Sequence, residues 1–129
     1  MNTEKRKTIL VVEDDPEYRM LLRARLQSYG FNIIEAEDGI TGVELVRSQS
    51  PDLILLDVML PRMNGFEVAK IIKKYGPRNI PLIMLTALAD ERSKKTGISA
   101  GADAYLTKSC DSSLLLNKIS DILKNEQSK

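Results

Sequence analysis

The chain has 129 residues, 43% hydrophobic and 29% charged, with a formal net charge of +1. That length fits one compact domain and leaves no room for a second, and the near-balance of acids and bases gives no general basic character to attract nucleic acid or an anionic membrane surface. There is no histidine and Cys110 is the single cysteine, which excludes an internal disulfide, fits a reducing cytoplasm and leaves carboxylates, hydroxyls and lysines to do any chemistry.

Short apolar runs alternate with amphipathic stretches. Thr8-Ile-Leu-Val-Val12 reads as a first strand because β-branched residues fit a pleated, half-buried surface. Asp15-Pro16 predicts a helix start, with aspartate at the N-cap and proline at the first position. That helix is expected to run to Tyr29, with Tyr18, Leu21, Leu22, Leu26 and Tyr29 on one face, and to end at Gly30. Asn32 to Ala36 is a second strand. Asp38 caps a helix from Gly39 to Gln49 that turns Ile40, Val43 and Val46 inward.

After Pro51, Leu53-Ile-Leu-Leu precedes Asp57. Four consecutive apolar residues suit a strand buried on both faces of a parallel sheet. Phe66 to Tyr75 forms the third helix, with Phe66, Val68, Ile71, Ile72 and Tyr75 apolar and Gly76-Pro77 closing it. Ile80 to Thr86 is the fourth strand, Asp90 to Ala100 a polar helix with few apolar anchors, and Ala104 to Thr107 the fifth strand. A last helix from about Asp111 to Asn125 buries Leu115, Ile119, Ile122 and Leu123, followed by a polar tail from Glu126 to Lys129. Met1 to Lys7 is polar and charged, and no apolar stretch approaches the ~18 residues of a membrane span.

Strands separated by helices imply right-handed crossovers and an α/β fold, a doubly wound (βα)5 three-layer sandwich around a central five-stranded parallel sheet. In such sheets the functional crevice lies beyond the carboxyl ends of the strands. Glu13-Asp14-Asp15, Asp57, Thr86 and Lys108 all stand at or just past strand ends. Clustered carboxylates raise one another's pKa unless a cation neutralises them. Oxygen ligands alone suit a hard cation, and a shallow site with room for water suits Mg²⁺ best.

Four segments in order, Ile9-Leu-Val-Val-Glu-Asp-Asp-Pro16, Leu53-Ile-Leu-Leu-Asp-Val-Met-Leu-Pro61 with Met63-Asn-Gly65, Leu85-Thr-Ala87 and Gly101-Ala-Asp-Ala-Tyr-Leu-Thr-Lys108, resemble the response-regulator receiver family of two-component signal transduction. The resemblance covers about residues 8–124 of a single domain spanning 1–129. It implies a flavodoxin-like sheet of order 2-1-3-4-5 and Mg²⁺-dependent acceptance of a phosphoryl group on Asp57. It further implies that Asp14, Asp57 and the Met59 backbone carbonyl ligate the metal, with Glu13 acting through water. Lys108 and Thr86 would contact phosphoryl oxygens, and Tyr105 would rotate inward after Thr86.

With no histidine of its own, the chain is expected to receive the group from a sensor histidine kinase, another phosphohistidine protein or a small phosphodonor. The output partner or domain is unspecified, with no direct nucleic-acid or membrane binding. The switching surface is expected on the fourth helix, fifth strand and fifth helix. Met59 and Leu88, two positions beyond Asp57 and Thr86, are apolar and are expected to make self-dephosphorylation slow.

The sequence departs from the family pattern at Ser109, where many receivers carry a proline after a cis bond. A cis peptide before a non-proline residue costs ~2.5–4 kcal/mol, so a trans or strained Lys108–Ser109 bond is expected. Ala104 and Asn117 replace charged residues through which receivers of winged-helix transcription factors pair. Leu114 stands where a charge is usual.

Asp15 reads as a helix cap, Gly65 and Pro61 as loop-shaping residues, and Cys110 as packing. A haloacid-dehalogenase-type phosphohydrolase would need a second acid at Met59 and a substrate cap. A flavin or nucleotide module would need glycines where Glu13-Asp14-Asp15 stands. A pseudo-receiver would lack part of the five-residue set. The start at Met1 with a polar lead fits a stand-alone regulator or an N-terminal domain.

Overall fold

A computed structural model describes residues 6–76 and 79–127. Five strands and five helices alternate: β1 Thr8–Val12, α1 Pro16–Ser28, β2 Asn32–Ala36, α2 Gly39–Gln49, β3 Leu53–Leu56, α3 Gly65–Tyr75, β4 Leu82–Thr86, α4 Glu91–Ser99, β5 Ala104–Thr107 and α5 Ser112–Gln127. The strands are all parallel in the order β2-β1-β3-β4-β5, the flavodoxin-like sheet expected. Alternation along each strand sends side chains to two cores. Leu10, Val12, Ile54 and Leu56 meet Val46 of α2 and Val68, Ala69 and Ile72 of α3. Ile9, Val11, Leu53 and Leu55 meet Leu22 and Leu26 of α1 and Leu115, Ile119 and Leu123 of α5.

Side-chain oxygens cap four helices, at Asp15 and Asp38 as expected and also at Asn64 and Asp90. Asp15 accepts from the Glu17 amide, Asp38 from Thr41, Asn64 from Glu67 and Asp90 from Ser93, each satisfying a donor that the first helical turn leaves open.

Several apolar positions expected inside are on the surface. Leu21, Tyr29, Ile40 and Tyr75 are all exposed. The buried line of α1 follows Tyr18, Leu22 and Leu26 at four-residue intervals, and Leu21 sits about 100° around the helix from Leu22. Tyr29 and Tyr75 lie at helix ends. Strand β4 begins at Leu82 rather than Ile80, since Pro81 has no amide to donate to the ladder. Helix α5 continues through Gln127, beyond the expected start of the tail. Pro77 and the rest of the tail, with Met1 to Lys5, lie outside the described residues. In α4 the only buried residue is Gly97, in keeping with its lack of apolar anchors. Among the described residues no helix is long and apolar enough to cross a membrane.

Candidate functional site

Backbone pairing carries on past the strand ends and fixes the residues there. The Glu13 amide donates to the Ala36 carbonyl at 3.0 Å, the Asp57 amide to Val12 at 3.1 Å and the Lys108 amide to Thr86 at 2.8 Å. The loops after β1, β3 and β5 are thereby held level at the carboxyl edge of the sheet. Gly65 keeps the loop after β3 tight: a Cβ there would overlap the Asp57 carbonyl oxygen and lie 2.7 Å from the Val58 Cα, so only glycine permits that approach. This bears out its loop-shaping role.

Glu13, Asp57 and Thr86 are the buried polar or charged residues among those described, at 2%, 4% and 0% exposure. Unpaired carboxylates are not tolerated at such depth. The Lys108 ammonium pairs with both, 2.8 Å from Glu13 Oε1 and 2.9 Å from Asp57 Oδ2. The remaining oxygens take backbone donors: Glu13 Oε2 accepts from the Asp15 amide at 3.0 Å, and Asp57 Oδ1 from the Met59 amide at 3.1 Å. Burial pushes the Glu13 carboxyl above the usual range, against the hydrogen bonds from Lys108 and the Asp15 amide. Burial alone would lower the Lys108 ammonium, but its hydrogen bonds to Glu13 and Asp57 outweigh that and hold it above the ordinary lysine value.

Asp14 is exposed at the mouth of the site. Glu13, Asp14 and Asp57 each offer an oxygen, and these oxygens all lie within 4.8 Å of one another. Three carboxylates against one ammonium leave excess negative charge. An oxygen-only donor set with one solvent-facing member fits a divalent hard cation that keeps some of its water. The residues present therefore fit Mg²⁺.

Thr86 Oγ1 accepts from the Leu88 amide at 3.4 Å. Tyr105 lies inward at 9% exposure, and its hydroxyl donates to the Leu88 carbonyl at 2.8 Å. Burial raises its phenol, with the charge of Asp90 adding to the effect. Thr86 and Tyr105 are thus both tied to Leu88, a side chain half-buried against the α2–α3 core. The Met59 side chain is exposed. No cis peptide occurs among the described residues, so the Lys108–Ser109 bond is trans.

Two residues on α1 join the site without having been expected there. Arg19 donates from Nη1 to the Glu13 carbonyl at 2.7 Å, while its Nε pairs with Glu35 at 3.1 Å. Arg23 also pairs with Glu35, at 3.0 Å, so β2 and α1 together brace the acidic loop. The Tyr18 ring lies under the Lys108 ammonium, 4.7 Å from Nζ to the ring centroid. In the sequence Tyr18 reads as a core position. The available signal was distance along the chain: a helix starting at Pro16 places residues 18 and 19 within a turn of the acidic loop.

The family profile for the response regulator receiver domain matches residues 9–120. Protein PilH of Pseudomonas aeruginosa is 37% identical over 116 residues, covering 89% of this chain and 96% of PilH. The DNA-binding dual master transcriptional regulator RpaA of a Synechocystis species is 38% identical over 117 residues, covering 90% of this chain and 48% of RpaA. The chain spans about half the length, or less, of the curated transcriptional regulators it matches. Among solved structures, a CheY-like response regulator receiver domain protein from Methanospirillum hungatei superposes with a TM-score of 0.90 at 29% identity, covering 96% of this chain and 98% of that one.

Proposed function

Since this chain belongs to the response regulator receiver family of two-component signalling, we propose that its phosphoacceptor is Asp57 and that the donor is a phosphohistidine on a sensor histidine kinase or phosphotransfer protein. One observation carries this assignment. Glu13, Asp57 and Thr86, buried at the ends of the three neighbouring strands β1, β3 and β4, are costly as core residues and make sense as a site.

An Asp57 oxygen attacks phosphorus. The new O–P bond forms as the P–N bond to the donor imidazole breaks, and the electron pair leaves with the donor nitrogen. A carboxylate nucleophile has no proton to lose, so the chain needs no general base. Lys108, already 2.9 Å from Asp57 Oδ2, moves onto a phosphoryl oxygen. The Thr86 hydroxyl donates to another in a fixed direction, stabilising charge on the equatorial oxygens.

Asp14, Asp57 and the Met59 carbonyl would hold Mg²⁺ directly. Glu13, whose oxygens are engaged by Lys108 and the Asp15 amide, would act through water. When bound, the ion supplies further positive charge to the phosphoryl oxygens. The product is an acyl phosphate, labile enough for a transient signal. Each chain takes one phosphoryl group and turns over no substrate. The surface of α4, β5 and α5 carries the response, through Thr86 and Tyr105, to a cytoplasmic partner or output domain.

The test is intact mass after incubation with Mg²⁺ and acetyl phosphate. The expected result is a gain of one phosphoryl group that is absent in Asp57→Asn. A folded, Mg²⁺-binding protein that gains nothing from acetyl phosphate or from a phosphohistidine donor would overturn the reading.

A further inference from the structure

Lys108 follows β5 at one edge of the sheet, yet its ammonium reaches past β4 to Asp57 on β3 and Glu13 on β1. A lysine is a point charge on a flexible four-carbon stem, so its position depends on what receives the charge. Two of its partners are carboxylates, and the proposed chemistry alters one of them. Once the Asp57 oxygen is part of an acyl phosphate it no longer carries the carboxylate charge, and the ammonium must pass from it to a phosphoryl oxygen without leaving the site.

The third partner is unaffected by the reaction. The Tyr18 ring is half-buried, packed against the core that α1 and α5 share, and offers its face to Nζ at 4.7 Å. The negative face of an aromatic ring attracts an ammonium at that range, most strongly where water is scarce. Asp15 and Pro16 fix where α1 begins, so the ring is placed by the helix start and not by a mobile loop.

We propose that Tyr18 is a positioning residue for Lys108: its ring face holds the ammonium over the phosphoryl site before and after Asp57 is modified. The proposal rests on the reading of Asp57 as phosphoacceptor. The contact uses the ring face, so phenylalanine suffices in its place, whereas leucine keeps an apolar side chain there but not the attraction.

Two measurements on wild type, Tyr18→Phe and Tyr18→Leu separate this role from packing. First, in Mg²⁺-free protein without any phosphodonor, the Lys108 ε-methylene protons are expected upfield in wild type and Tyr18→Phe, displaced by the ring current, and near ordinary lysine values in Tyr18→Leu. Second, the rate constant for phosphorylation by acetyl phosphate is expected to fall about three- to tenfold in Tyr18→Leu, the range a partly desolvated cation–π contact supplies, and to stay near wild type in Tyr18→Phe.

Thermal unfolding midpoints identify any loss of fold, and Tyr18→Met then replaces leucine as the non-aromatic variant. A folded non-aromatic variant phosphorylated at the wild-type rate would overturn the proposal, as would Tyr18→Phe failing as badly as leucine. Wild type that accepts no phosphoryl group would instead overturn the reading of Asp57, and the proton shifts alone would then decide whether Tyr18 places Lys108.

Discussion

At the sheet edge binding and repulsion meet in Asp14, and one substitution separates the two. Asp14 is the exposed member of three carboxylates whose oxygens lie within 4.8 Å of one another. Without a divalent cation that cluster is a source of repulsion, on the order of 1 kcal/mol for a partly solvated pair. Asp14→Asn is therefore expected to raise the thermal midpoint in chelator by about 4 °C for a domain of this size. The same variant should lose most of the stabilisation that Mg²⁺ gives the wild type by binding the folded state. A lowered midpoint in chelator, measured calorimetrically, would contradict the repulsion argument.

On the proposed chemistry, Met59 and Leu88 bear on the lifetime of the phosphorylated state. Neither side chain has a group to orient an attacking water, and Leu88 is held half-buried while Met59 is exposed. A glutamine or asparagine at either position is expected to speed loss of phosphate by roughly tenfold, about 1.4 kcal/mol in the barrier. Unchanged decay in both variants would count against the idea. At this scale the sequence was a good guide to Glu13, Asp14, Asp57, Thr86 and Lys108 because strand ends bring them together. For Arg19 and Tyr18 it offered only their closeness along the chain to the acidic loop. That Arg19 reaches the Glu13 carbonyl and the Tyr18 ring the Lys108 ammonium depends on tertiary packing, which spacing within one helix does not carry.

Among the elements, α4 is the least anchored. Its one buried residue is Gly97, and a Cβ there would stand 2.7 Å from Met84 Sδ and 2.8 Å from Tyr105 Cδ2. Glycine thus lets the helix lie against the inward Tyr105 ring. Gly97→Ala gains about 1 kcal/mol in helix propensity, but overpacking costs typically 1–3 kcal/mol. The expected net result is a modest loss of stability in urea unfolding, with faster amide exchange through α4 and β5 as Tyr105 is displaced from Leu88. An alanine variant more stable than wild type, with unchanged exchange, would show that the contact is not tight. The caps at Asp15 and Asp38 were legible because each aspartate sits immediately before a periodic segment. The cap at Asp90 was not, since α4 is polar and has no apolar period to mark its start. Facing was less legible. Leu21, Ile40 and Tyr75 are apolar at helical spacing yet exposed, since spacing alone cannot distinguish the centre of a buried stripe from its margin.

Over the whole molecule, parallel strands with alternating helices left one sensible architecture, and the strand runs were apolar enough to place it. The fold then explains why residues scattered from position 13 to position 108 gather: β1, β3, β4 and β5 are parallel and end at the same edge of the sheet. Opposite-sided cores make the sheet rigid beneath that edge, while the loosely packed α4 gives a face that can respond. Everything in this mechanism follows from where the phosphoryl group goes. The most direct measurement is to phosphorylate the wild-type chain with acetyl phosphate and Mg²⁺, reduce it with borohydride, and sequence the peptides by tandem mass spectrometry. An acyl phosphate on aspartate is reduced to homoserine, and homoserine is expected at position 57 alone. Homoserine at another acid, or phosphate carried by a hydroxyl residue with position 57 unchanged, would contradict it.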